Sequence, residues 1–157
     1  MAQSKGIWRK IVVLGVVGGL AFFAITFAIS LLPIAAEYRT AESISNIQTV
    51  WVGGLLVGLS IGFFVSFFLL RFFDKIPTNN PILKSVILSF IVLVIDTILL
   101  EAPASFGTSN ALYYFLFGTI LNVPRFLFLG IVIGYLYIRL YKGNNPAVVA
   151  SKSAQVE

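Results

Sequence analysis

The chain has 157 residues, 59% of them hydrophobic and 11% charged, with a mean hydropathy of +0.98 and a formal charge of +5. These values lie outside the range of soluble globular domains and point to an integral membrane protein. With no cysteine, no histidine and methionine only at Met1, disulfides, thiol chemistry, histidine-ligated metals and histidine acid–base catalysis are excluded, and no cofactor or metal is expected.

The first apolar run, Ile11 to Ala36, follows Lys5, Arg9 and Lys10 and supports a span near Ile7–Ala36. A helix rising about 1.5 Å per residue needs about 20 apolar residues to cross a hydrocarbon core of about 30 Å. The run is longer than the roughly 7 to 15 residues of a signal-peptide core, and no A-x-A site follows, so the helix is expected to be retained. Within it Gly15 and Gly19 share a stripe that continues to Thr26 and Ser30. A polar connection, Glu37 to Asn46, carries Arg39 beside Glu37 and Glu42.

The second span, Ile47–Phe73, contains GGLLVGLSIGFFVS, which places Gly54, Gly58, Gly62 and Ser66 four residues apart along one face. In lipid, helices associate by close packing, and small residues let two backbones approach. Packing within the chain is the plainer expectation for this face. A seam to a second copy or to another membrane subunit is the sharper one. The turn KIPTNNPILK follows, with Pro81 opening a third span at Ile82–Leu100.

Span three holds Asp96, and a polar loop from Glu101 to Asn110 leads to span four, Ala111–Leu140, where Gly130 and Gly134 repeat the small-residue spacing. The segment TILNVPRFLF sets Arg125 and Pro124 inside that span. A lone charge at such depth costs at least about 2.5 to 3.5 kcal/mol on insertion scales. Counting from Lys84 and Arg139 at 1.5 Å per residue, Asp96 and Arg125 stand about 18 and about 21 Å up, nearly level. The sequence therefore predicts an ion pair between them. Ser85, Ser89 and Asp96 share one stripe, and Gly118, Asn122 and Arg125 another. Pro124 removes the amide that would bond the Ile120 carbonyl, so NVPR is expected to be locally opened, with Asn122 or Arg125 assisting that carbonyl. The intramembrane polar site predicted here is Asp96, Arg125, Asn122, Pro124 and Ser89.

The remaining patterns concern lipid. Fifteen phenylalanines, several in adjacent pairs, cannot all face one partner on a helix, so most are expected to meet acyl chains. Trp8, Trp51, Tyr38, Tyr113, Tyr114, Tyr137 and Tyr141 fall at span ends, as interfacial belts do. Nine of the eleven Lys and Arg residues flank the spans on one side, against Arg39 alone on the other. That bias puts both termini in the cytoplasm, and it accounts for the basic charge without nucleic acid.

The expectation is an all-α, polytopic, four-transmembrane-helix bundle at residues 1–142, multi-pass in the plasma membrane, with a polar tail at 143–157. No catalytic constellation is present: Asp96 and Glu101 stand on different helix faces, and neither G-x-S-x-G nor H-E-x-x-H occurs. The favoured function is a noncatalytic membrane subunit or scaffold within a complex. The alternative is a small oligomeric transporter or channel using Asp96, Arg125 and Asn122. The bilayer, further copies of the chain or other membrane subunits are the expected partners.

Overall fold

A computed structural model describes residues 2–41, 43–44, 46–108 and 110–142; the expected tail at 143–157 lies outside them. Every regular element described is helical: α1 (Ala2–Ser30), α2 (Pro33–Ala41), α3 (Ile47–Arg71), α4 (Pro81–Phe106) and α5 (Ala111–Tyr137). Among the described residues four helices are long and apolar enough to cross a membrane, and α2 is not one of them.

Local chemistry sets the ends. Asn46 and Asn80 cap α3 and α4 by accepting from the amides of Gln48 and Ile82 at 2.9 and 3.0 Å, and Pro81 occupies the first turn of α4. Span one stops at Ser30, six residues earlier than the apolar run suggests, because Pro33 has no amide to continue the ladder and its ring opposes the Ile29 carbonyl. The chain turns through two i→i−3 bonds, Leu31 to Ala28 and Leu32 to Ile29, and restarts as α2. The segment expected to be a polar connection thus begins in a helix carrying Tyr38 and Arg39. Likewise α4 runs beyond Leu100 to Phe106 and takes Glu101 into the span.

Small residues decide the packing. A Cβ added at Gly19 would lie 2.7 Å from the Leu59 Cα and 2.8 Å from the Gly58 carbonyl; one at Gly15 would meet Phe63, and one at Gly54 would meet Thr26. Gly58 and Gly62 face the α1 backbone in turn, and Ser66 is fully buried. As position rises in α1 it falls in α3, so the two are antiparallel, and the predicted glycine faces of spans one and two meet each other. Gly130 and Gly134 do the same for α5 against α4, next to Val86 and Ser89 and to Ile82. Helix α1 also packs on α5, through Gly18 against Ile133 and an edge-to-face pair of Phe22 and Phe126 at 5.3 Å. The core lies between α1, α3 and α5, with Leu14, Val65, Leu69, Phe126, Leu129 and Ile133 fully buried.

Lys10 sits 4.6 Å over the Tyr141 ring, so the start of α1 and the end of α5 share one end of the bundle. Lys84, expected as an interfacial anchor, is instead buried at that end. Its ammonium donates to the Phe73 carbonyl and lies 3.9 Å from the centroid of the Phe73 ring, which stacks on Tyr137.

Candidate functional site

At the opposite end of the bundle, residues of α1, α2, α3, α4 and α5 line a cavity of about 110 Å³. Its charged and polar wall is Ser30, Tyr38, Arg39, Glu101, Asn122 and Arg125. Each arrives there by a local device.

Glu101 is delivered by a π turn, Thr97–Glu101, in which the Ala102 amide bonds the Thr97 carbonyl, an i→i+5 closure. Pro103 gives the cause. It has no amide for the Leu99 carbonyl, and its ring would strike that carbonyl in a regular helix. Inserting a wide turn relieves the clash. In a regular α-helix, residues 96 and 101 stand about 140° apart; the wider turn reduces this, since residues five apart come close to one face. Ser105 donates to the Glu101 carbonyl at 2.9 Å and steadies the turn from below.

Gly118 makes room for the carboxylate. A Cβ at this position would fall on the Glu101 Oε1 and within 2.7 Å of the Tyr38 hydroxyl. One turn further along α5, Asn122 is buried and donates from Nδ2 to Glu101 Oε2 at 3.2 Å. Three residues on, Arg125 Nη1 donates to Asn122 Oδ1 at 2.7 Å. Tyr38, held by ring contacts to Tyr114 and Phe117, donates its hydroxyl to Glu101 Oε1. The result is a continuous chain from Tyr38 through Glu101 and Asn122 to Arg125. At its end the Arg125 Nε is buried with no hydrogen-bond partner.

Arg39 forms the other wall. Its Nη1 donates to the Ser30 carbonyl at 2.8 Å, while Trp51 Nε1 donates to the Ser30 hydroxyl at 2.9 Å. Arg39 is therefore tied to the broken end of α1 and not merely trailing in the interface.

Comparison with known proteins finds no matching family model, curated protein or solved structure.

Of the residues predicted for the polar site, Arg125 and Asn122 come together, with Glu101 where Asp96 was expected. Asp96 is half-buried on α4, does not line the cavity and makes no hydrogen bond or ion pair with Arg125. Ser89 lies in the α4–α5 crossing, bonded to the Ser85 carbonyl at 2.9 Å and packed on Gly130. Pro124 is exposed inside a helix that runs on without a break. The side chains of Asn122 and Arg125 bond Glu101 and each other, not the Ile120 carbonyl.

Proposed function

We propose that this chain is a noncatalytic membrane subunit that holds a small polar ligand in the cavity between Tyr38, Glu101, Asn122 and Arg125, on the outer side of the plasma membrane. The observation carrying this reading is the hydrogen-bonded chain Tyr38–Glu101–Asn122–Arg125, which surrounds space instead of filling it. A purely structural ion pair gains most by excluding water and satisfying every donor. Here a volume sufficient for several waters adjoins the Arg125 residue, whose Nε is buried without a partner.

Binding without turnover is favoured by what surrounds the space. Among the described residues the one carboxylate lining the space is engaged by Tyr38 and Asn122, and the Ser30 hydroxyl is committed to the Phe27 carbonyl at 2.7 Å. A channel through one chain is disfavoured, because the bundle next to the cavity is filled by Phe22 and Phe126 and, further in, by Leu129 and Ile133. Transport by this site would need a second copy or a larger partner.

Outward orientation rests on the nine-to-one bias of flanking Lys and Arg. A cysteine placed at Thr108, in the loop after α4, is expected to react with an impermeant thiol reagent on intact cells, and one at Thr78 is expected to be protected. The chain has no cysteine to interfere. The reverse pattern refutes the orientation.

Binding is tested by native mass spectrometry of the protein extracted gently from its own membrane. A small bound molecule should accompany the wild type and be displaced by Leu121→Trp, which fills the cavity from its wall. Failure to retain any molecule, or equal retention by the variant, removes the binding reading. A defined heteromeric complex in the same spectra supports the subunit role, and a homodimer supports transport.

A further inference from the structure

We infer that the ligand of this cavity carries a small oxyanion, a carboxylate or a phosphate group, received between Arg39 and Arg125; the inference rests on the binding reading above. Three observations lead to it. Among the described residues, two guanidinium groups line the space against one carboxylate, an excess of one positive charge. In surroundings of low polarity an unbalanced charge is expensive, and an anion entering from water restores the balance. The sole carboxylate already accepts from Tyr38 on one oxygen and from Asn122 on the other, so it is poorly placed to take an incoming ammonium group.

The donors point the same way. Of the five N–H groups of Arg125, Nη1 meets Asn122 and the buried Nε meets nothing; Arg39 commits Nη1 to the Ser30 carbonyl. The remaining N–H groups belong to planar forks, which match the paired oxygens of carboxylate or phosphate and have no complement in a cation; the Arg125 Nε, being buried, adds charge but no accessible donor. Gly118 holds Glu101 back against α5. The anion would therefore sit on the Arg39 side, away from the Glu101 oxygens. Such a group reaches this end of a membrane protein either as a free solute or as the head of an anionic lipid.

The test uses the full chain in nanodiscs of phosphatidylcholine alone, titrated with sodium phosphate, sodium acetate and methylammonium chloride and followed by thermal shift. A second set of nanodiscs contains phosphatidylglycerol, with lipid retention read by native mass spectrometry. Saturable phosphate or acetate binding in the neutral discs, weakened at least tenfold in Arg39→Gln and in Arg125→Gln, establishes a free oxyanion. Retention of phosphatidylglycerol that falls at least tenfold in Arg39→Gln, without binding of the free salts, establishes a lipid headgroup. Should Arg125→Gln fail to fold, Arg39→Gln alone decides, since its side chain is only half-buried. Oxyanion binding unchanged in Arg39→Gln, or a preference for methylammonium, overturns the inference. If a ligand from the native membrane is still displaced by Leu121→Trp, the cavity reading stands while the oxyanion falls; if nothing binds, both fall.

Discussion

Gly62→Leu is expected to abolish the stable bundle, whereas Gly53→Leu, nine residues away on the same helix, should be nearly silent. A Cβ at Gly62 would collide with the Gly15 carbonyl and lie 2.8 Å from the Gly19 amide and 3.2 Å from its Cα, all backbone atoms of α1. Backbone cannot swing aside as a side chain can, so the two helices must separate. At Gly53 nothing lies within 4 Å. Overpacking a well-filled interior costs about 1 to 3 kcal/mol when side chains can adjust; Gly62→Leu should reach about 3 kcal/mol or more, a large part of a total of about 5 to 15. Separation also exposes no water-hating surface in lipid, so the loss comes from forfeited close contact. Thermal unfolding in detergent measures both variants. Equal stability of the two would mean that α1 does not rest on the Gly54–Gly58–Gly62 face.

That face was legible in the sequence for a simple reason. Close approach of two helices in lipid requires small residues at a spacing of about one turn, and GGLLVGLSIG supplies them at Gly54, Gly58 and Gly62. The four spans were legible for a similar reason, since length and apolarity are the conditions for crossing a bilayer. Neither signal depends on the partner. The polar site was different: Arg125 and Asn122 announce themselves by sitting in an apolar run, but their counter-charge was sought by helical phase and depth, and phase failed. An α-helical wheel turns Glu101 away from the Asp96 face, and the π turn Thr97–Glu101 re-aims it. Pro103 was the available signal, because a proline four residues after Leu99 cannot be reached by a regular helix without a missing bond and a clash. Tyr38 was hidden more deeply. Its place follows from Pro33 breaking the first span early, which an apolar run that continues to Ala36 conceals.

Glu101 and Arg125 should prove energetically coupled, and Asp96 and Arg125 much less so. Glu101→Gln keeps the shape of the side chain and its ability to accept from Tyr38, but removes the negative charge that Asn122 links to the Arg125 guanidinium. Arg125→Gln removes the positive charge that Asn122 links to the Glu101 carboxylate. Removing one member of a buried charged pair costs about 3 to 5 kcal/mol in known cases, because the survivor stays desolvated without compensation. Each single variant should lose less than that, because Glu101 and Arg125 are joined through Asn122 and not directly, and because Arg125 is only half-buried and adjoins a cavity. The double variant carries no charge to compensate and should recover much of the loss, giving a coupling well above about 0.5 kcal/mol, the level at which independent sites simply add. Asp96→Asn combined with Arg125→Gln should lie closer to additive, since no side chain bridges those two residues as Asn122 bridges Glu101 and Arg125. Denaturant unfolding of the four single and double variants in one detergent supplies the numbers. A larger coupling for Asp96 than for Glu101 would mean that the guanidinium turns toward α4 one turn lower, and the chain from Tyr38 to Arg125 would not be the unit that shapes the cavity.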